Sequence, residues 1–245
     1  PELREVYNAN LPKITEYYAE LSQNLKLFDK YKAIKASSDF AQLSAAQQKI
    51  INNELRDFRL GGAELPAQQK DRFKAIQEEL ATLSARFEEN LLDTTNAYAK
   101  YVERESEVAG LPADVLQAAQ EAATADGKPD WKFTLHAPSY MPVMQYAEHR
   151  ALREELYRAY VTRASEFGKT EWDNTPLIGQ ILALRQEAAH LVGYKSYAEV
   201  SLATKMAATP AEVLDFLNSL GQRAKPFAQK DLAEVQAFAA EKFGM

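Results

Sequence analysis

Glu187 and His190 are the two side chains whose types and spacing most directly suggest chemistry, in the stretch LRQEAAHLVGYKSYAEVSLATKM (184–206). Three residues apart on a helix, they lie on one face, and Glu-x-x-His turns of this kind supply half of the di-iron site in helical bundles. A complete site needs two such turns and two further glutamates. The chain contains one such turn. The sequence therefore favours a structural histidine close to a helix end at Gly193, where histidine complements the helix dipole.

The other residues that carry metal or nucleophile chemistry do not assemble into a known pattern. His136 and His149 complete the histidine set, and none of the three forms His-Glu-x-x-His, the helical zinc motif with its general-base glutamate. The chain has no cysteine, which excludes disulfides, thiolate nucleophiles and Cys-ligated zinc. It has neither Gly-x-Ser-x-Gly nor a glycine-rich phosphate loop. We therefore assign no catalytic residue, no cofactor-binding residue and no metal ligand in this chain.

Adjacent glutamates occur three times on predicted helices, each pair interleaved with lysine or arginine. This pattern is typical of a solvated helix face, and general acid-base catalysis needs a carboxyl group in a water-poor pocket instead. The pairs are Glu78 with Glu79, Glu88 with Glu89, and Glu154 with Glu155.

Tyrosines are frequent and widely spread. A tyrosine ring packs while its hydroxyl forms a hydrogen bond, so tyrosines suit a half-buried wall that faces a polar ligand. Ordinary helix packing explains them equally simply and is the favoured interpretation. The residues concerned are Tyr7, Tyr17, Tyr18, Tyr140, Tyr146, Tyr157, Tyr160, Tyr194 and Tyr197.

Composition limits the class of protein. With 245 residues, 46% of them hydrophobic, the chain can bury a sizeable core. The net charge of -6 argues against a nucleic-acid binder that relies on phosphate neutralisation. No apolar stretch approaches the roughly 18 residues of a membrane span, and the first residues lack a signal-peptide pattern. The chain opens without Met inside an amphipathic pattern and stops inside another, so we expect a piece of a longer protein.

The pattern of apolar residues and helix caps predicts an all-α fold, an elongated multi-helix bundle. Ser44 with Gln47 forms a capping box, and Thr209 with Pro210 and Glu212 marks another helix start. Apolar residues recur every three or four positions after Pro66, without internal glycine or proline. This stripe predicts one long helix over 66–102. Its core face should include Phe73, Leu80, Phe87 and Leu91.

One segment interrupts the helical pattern. Turn residues and Pro129 precede WKFTL (131–135), and Pro138 and Pro142 follow it, so at most one short strand or extended segment is expected there. Ser139 is expected to cap the next helix, with Pro142 in its first turn. A boundary near this segment divides the chain into a first helical part, 1–127, and a second, 128–245.

Several blocks of the sequence resemble the M3 peptidase family, the zinc oligopeptidases of the thimet oligopeptidase and neurolysin type. The resemblance runs along the whole chain and is most specific over 138–206. The blocks are NELRDFRLGGAELP, LSARFEENLLDTTNAY, APSYMPVMQYAEHRALREELYRAYVTRAS, WDNTPLIGQILALRQEAAHLVGYKSYAEVSLATKMA and VLDFLNSL.

The resemblance implies a cytoplasmic zinc endopeptidase that acts on short peptides, with one zinc ion held by His-Glu-x-x-His and a further glutamate. None of these positions lies in this sequence, because in the family they come later in the chain. The resemblance thus implies an upstream segment that binds no zinc itself, continues into the catalytic region and contributes to the helical wall of a narrow substrate channel. Its partners would be short peptides and the rest of its own chain, not nucleic acid or membrane. A helical scaffold or interaction module without enzymatic activity is the alternative.

Overall fold

The computed structural model describes residues 2–244, which fold into helices joined by short turns and one pair of strands. Short 3₁₀ turns at Ser38–Gln42, Glu105–Glu107 and Thr170–Trp172 complete the regular structure. In chain order the elements are α1 (Glu2–Ser22), α2 (Leu25–Ala36), α3 (Ala45–Leu60), α4 (Ala67–Ala97), β1 (Lys100–Val102), α5 (Ala113–Ala125), β2 (Trp131–Phe133), α6 (Ala137–Tyr146), α7 (Arg150–Val161), α8 (Thr175–Leu191), α9 (Tyr197–Leu202) and α10 (Pro210–Phe243).

The predicted all-α class and the predicted short strand within 131–135 are confirmed. Strand β2 lies inside the segment 131–135 and pairs antiparallel with β1, with Tyr101 opposite Lys132. An ion pair fixes the start of the strand, because Lys132 Nζ lies 2.5 Å from Asp126 Oδ2 at the end of α5. The two strands therefore form a small sheet within an otherwise helical chain.

Contacts group the chain into two compact units, each of which combines two stretches of sequence. The first unit contains the residues up to Glu20 and Lys74–Leu184, and the second contains Leu21–Phe73 and the residues from Arg185 onward. The predicted division into 1–127 and 128–245 falls between α5 and β2, which pack against each other inside the first unit. Packing thus groups the chain differently from the linear division.

The core of the first unit forms where α5, α6 and α7 meet the small sheet. Phe133, Val143 and Leu156 are completely buried there. Gly110 closes the loop beneath α6 with φ +85°, and a Cβ at this position would lie only 2.4 Å from the Tyr146 carbonyl oxygen. Glycine is required here for both reasons. The full cluster is Val102, Val108, Leu111, Ala119, Phe133, Tyr140, Val143, Ala147, Leu152 and Leu156.

The second unit has a smaller core between α2 and α3. Phe28, Leu55, Phe58 and Ala63 form it, and the rings of Phe28 and Phe58 lie 5.4 Å apart. Burial of these side chains explains why two short helices, each marginal alone, pack as a pair.

The helix boundaries mostly follow the predicted caps. Ser44 and Gln47 form the complete capping box at the start of α3. Thr209 Oγ1 accepts a hydrogen bond from the Glu212 backbone N–H at 3.1 Å, with Pro210 as the first residue of α10. The Ser139 prediction is wrong, because α6 already begins at Ala137 and the Ser139 hydroxyl accepts from the Thr134 N–H at 2.9 Å.

The long predicted helix exists but ends earlier than expected. Helix α4 runs over Ala67–Ala97 rather than 66–102, because Lys100–Val102 extend to pair with β2. The backbone groups of these three residues are satisfied by a strand partner that lies about thirty positions along the chain. Tyr98 and Tyr101 continue the helical spacing of apolar residues, and this spacing therefore predicted the wrong C-terminal end for α4.

The buried face of α4 also differs from the predicted stripe in its second half. Phe73 is buried as expected, whereas Leu80 and Phe87 are half-buried and Leu91 is 37% exposed. The buried positions there are polar: Asn90 donates to Asn174 Oδ1 at 2.8 Å, and the Asn174 amide donates to the Phe87 carbonyl at 3.0 Å. In this part of α4 the buried position is thus Asn90, which forms a hydrogen bond with the buried amide of Asn174, and not Leu91.

Two alanine variants of α4 test this assignment of its faces. Ile76 is fully buried, so Ile76→Ala should lower the free energy of unfolding by about 2–5 kcal/mol, the usual range for a buried aliphatic side chain. Leu91→Ala should lower it by about 1 kcal/mol or less, because Leu91 is partly solvated. Chemical denaturation measures both, and an equal or larger loss for Leu91→Ala would contradict the observed face.

Candidate functional site

Glu187 and His190 lie on the last turns of α8, and their side chains bind different partners. The Glu187 carboxylate accepts two hydrogen bonds from the Arg72 guanidinium, each 2.6 Å long. These bonds hold the pKa of Glu187 below its usual value. Both oxygens of the carboxylate are therefore engaged by a cation, which is unfavourable for metal ligation.

The His190 side chain contacts groups at the C-terminal end of α8 and in the loop that follows. Its Nε2 lies 2.6 Å from Gln186 Nε2 and 3.3 Å from the Lys195 carbonyl oxygen. Helix α8 ends at Leu191, and Gly193 follows two residues later with φ +86°. The Gly193 and Tyr194 N–H groups donate back to the carbonyls of His190 and Ala189, which is the Schellman arrangement. The predicted helix end at Gly193 is confirmed, and His190 contacts the loop that leaves it.

The other two histidines also lie at helix ends. His136 precedes α6 and is exposed, and His149 precedes α7, where its Nδ1 accepts from the Leu152 N–H at 3.3 Å. This histidine cap gave no signal in the sequence, because histidine is not a preferred N-cap residue.

Zinc, which the family resemblance implies, does not fit the donors of this chain. Over residues 2–244, no group of three or more His, Cys, Asp or Glu side chains is arranged to hold a metal ion. A zinc site needs three or four such donors around one point. Glu187, the acid with the most suggestive spacing, is committed to Arg72.

Four glutamates of the three adjacent pairs are exposed, and Glu78 and Glu89 are half-buried. Glu155 pairs with Lys100 Nζ at 2.8 Å, and Glu154 pairs with Arg158 at 3.3 Å. Glu89 accepts from Asn8 Nδ2 at 2.8 Å, and Glu88 is exposed. None of these six carboxylates is buried, so they lack the water-poor surroundings that general acid-base catalysis needs.

The tyrosines divide into a packed and an exposed group. Tyr140 is buried and stacks on Tyr160 with ring centroids 4.2 Å apart, and the Arg163 guanidinium lies 3.7 Å from the Tyr160 ring centroid. Burial, followed by the neighbouring Tyr160, raises the pKa of Tyr140. The exposed group, which ordinary packing does not explain, is Tyr7, Tyr17, Tyr18, Tyr146, Tyr157 and Tyr197.

One surface hollow combines an exposed tyrosine with cationic groups. It has a volume of about 490 Å³ and lies between α6 and α7, lined by Met144, Arg150, Arg153, Glu154 and Tyr157. Arg153 donates to the Ala147 carbonyl, which leaves part of its guanidinium toward the hollow. Such a surface can contact a peptide through apolar, aromatic and charged groups.

Comparison with known proteins identifies relatives along the whole chain. The sequence model of Peptidase family M3 matches residues 143–245, and the model of the Neurolysin/Thimet oligopeptidase N-terminal domain matches residues 1–70. The chain is 48% identical to oligopeptidase A of Haemophilus influenzae and 44% identical to oligopeptidase A of Escherichia coli, with 100% of the chain covered in both cases. It is 41% identical to a probable cytosolic oligopeptidase A of Arabidopsis thaliana over 98% of its length.

The chain spans about a third of the length of these relatives: 36% of each bacterial protein and 34% of the plant protein. The two family models match different parts of the chain. The Peptidase family M3 model begins in α6 and extends through α10. The resemblance seen in the sequence blocks is therefore confirmed.

Zinc titration tests the structural interpretation of Glu187 and His190. Calorimetry on the 245-residue chain should show no stoichiometric submicromolar zinc site, because the carboxylate is bonded to Arg72 and no third donor lies nearby. His190→Ala and Glu187→Gln should leave the titration unchanged. A tight site that either substitution removes would contradict this interpretation.

The ion pair between Arg72 and Glu187 predicts how the pKa of Glu187 responds to substitution. In Arg72→Gln the pKa of Glu187 should rise toward the ordinary value of about 4.3, whereas Arg185→Gln, two residues from Glu187 on α8, should leave it low. Because the folded-state pKa is lowered, the pair stabilises the fold above the ordinary pKa and loses that contribution as the pH falls through the lowered one. NMR titration of the carboxyl carbon measures both variants, and an equal pKa in wild type and Arg72→Gln would refute the cause.

Proposed function

We propose, from the premise that the chain carries the sequence of M3-family peptidases along its whole length, that it is the non-catalytic, N-terminal-side segment of a zinc metallo-oligopeptidase that hydrolyses short peptides. We call the longer protein the parent. The observation that carries the proposal is the 48% identity over all of this chain to a protein named oligopeptidase A, of which the match covers 36%.

The donor chemistry of the chain supports a non-catalytic role. The zinc ion and its ligands are proposed to lie elsewhere in the parent, where the family's His-Glu-x-x-His would polarise the peptide carbonyl and activate water. Over residues 2–244 none of the carboxylates is buried and the histidines lie at separate helix ends. The contribution of this segment is then to bind and orient the substrate, not to supply reacting groups.

We propose that the segment forms part of the wall of a narrow substrate channel. A wall for unstructured peptides needs rigid elements that carry polar and aromatic groups, since loops would not hold its width. The chain supplies long helices, exposed tyrosines and the hollow that contains Arg150 and Tyr157. A channel of this kind would exclude folded proteins and admit short extended peptides.

The parent is proposed to act in the cytoplasm without nucleic-acid or membrane partners. The plant relative is named a probable cytosolic enzyme. Across the helices of residues 2–244, none is both long and apolar enough to cross a bilayer. The net charge of -6 opposes binding to phosphate backbones.

A helical scaffold or interaction module without enzymatic activity is the second candidate. The observation that favours it is the large exposed apolar surface of α10, which could receive another protein. The two candidates differ in what the gene encodes beyond residue 245: a zinc motif in the first case, and a stop codon directly after Met245 in the second.

Peptide hydrolysis by the parent and by its parts tests the first candidate. The full-length parent loaded with zinc should cleave short unstructured peptides, and Glu→Gln in its His-Glu-x-x-His should reduce kcat by at least about 10²-fold, as expected when a general base is lost. The 245-residue chain alone should be inactive. A parent that folds and binds zinc but leaves all short peptides intact would overturn the enzymatic proposal, and a stop codon after Met245 would favour the scaffold.

A further inference from the structure

Helix α10 differs from the other long helices because it buries none of its side chains. It has 34 residues, Pro210–Phe243, and its large apolar residues other than the half-buried Val213 are more than half exposed. By contrast, the shorter α8 buries Leu177, Ile181, Leu184 and Ala189. A long helix that buries no side chain lacks the tertiary packing that normally supplies helix stability.

The exposed large apolar residues of α10 lie on one half of the helix and not all around it. At 100° per residue, the exposed large apolar residues of α10 span about 180° of the helix, from Phe216 to Phe243. Within this half, Leu217 and Val235 point in the same direction, and Leu220, Phe227 and Phe238 lie within about 80° of them on one side. We call these five residues the α10 stripe. The opposite face carries small or polar residues, including Gln222 and Ala233. An apolar stripe of this width is the pattern of a helix that packs on a core.

The charges on α10 limit what can cover the stripe. The helix carries five acidic residues and four basic ones, so its polar face is close to neutral. A helix that binds anionic membranes has a strongly basic polar face, and a nucleic-acid binder needs clustered lysine and arginine. The stripe therefore fits an apolar protein surface.

We propose that the α10 stripe packs against the catalytic part of its own parent chain, and this inference rests on the proposed function. The relatives contain almost two thirds of their length outside the match. The model of Peptidase family M3 covers all of α10, whereas the N-terminal-domain model ends at residue 70. The stripe thus belongs to the stretch that the peptidase model includes, and the remainder of the parent supplies the missing surface.

Cysteine labelling can read this contact directly, because the 245 residues contain no cysteine. Val235→Cys and Leu217→Cys place a thiol on the stripe, and Ala233→Cys and Gln222→Cys place matched thiols on the opposite face. The reaction of each thiol with a maleimide is followed by mass spectrometry of its peptide, in the 245-residue chain and in the full-length parent. Circular dichroism confirms that each variant retains its helix content.

All four thiols should react rapidly in the 245-residue chain. In the parent, the two stripe thiols should react about 100-fold more slowly, because reaction then requires local opening of a packed helix. The two control thiols should stay within a few-fold of their rates in the shorter chain. Stripe thiols that react equally fast in the parent would overturn the proposal.

Two further outcomes would identify a different occupant and also overturn it. Slow stripe labelling that depends on the concentration of the 245-residue chain, together with a dimer in sedimentation, would assign the stripe to a second copy. Slow labelling in the shorter chain only when anionic phospholipid vesicles are added would assign it to a membrane. The hydrolysis assay separates the two proposals: an inactive parent with protected stripe thiols would refute the enzymatic function alone, and an active parent with reactive stripe thiols would refute this inference alone.

Discussion

Removal of apolar helix faces from water is the constraint on which the rest of this structure depends. In the first unit, α5, α6 and α7 satisfy it around Phe133, Val143 and Leu156, and the two short strands are held because they close this core. In the second unit, Phe28 and Phe58 satisfy it between α2 and α3. Helix α10 does not satisfy it within residues 2–244. The same physical effect that builds both cores therefore also identifies the surface that needs a partner.

Polar contacts determine which suggestive residues are free to react. Glu187 and His190 have the spacing of half a metal site. However, Arg72 binds both oxygens of the Glu187 carboxylate, and His190 contacts the loop beyond Gly193. Hydrogen bonds also determine packing on α4. The buried Asn174 side chain bonds to Asn90 and to the Phe87 carbonyl, and these bonds fix which face of α4 is buried. Hydrogen-bond satisfaction, rather than residue type, decides these roles.

The chain resembles proteins named oligopeptidase A along its whole length, yet over residues 2–244 no three His, Cys, Asp or Glu side chains are grouped to hold a metal ion. Catalysis by a metal requires a few donors around one point, whereas selection of short peptides requires extended and rigid surfaces. These two requirements can be met by different parts of one chain. The similarity to oligopeptidase A covers 36% of that protein. Within this third, His149 caps a helix, Glu187 is ion-paired and Phe133 packs in a core.

The sequence by itself determined the helical class, most helix ends and the single strand segment, because capping and periodicity are local effects. Ser44 with Gln47, Thr209 and Gly193 act on backbone groups within a few residues, so their consequences can be read without knowing the fold. Only the tertiary structure decided that Lys100–Val102 leave the helix, that Asn90 rather than Leu91 is buried, and that Arg72 binds Glu187. Each of these depends on a partner about 30 or more positions away in the chain. A local sequence pattern does not indicate which distant group will pair with a strand edge, a buried amide or a carboxylate.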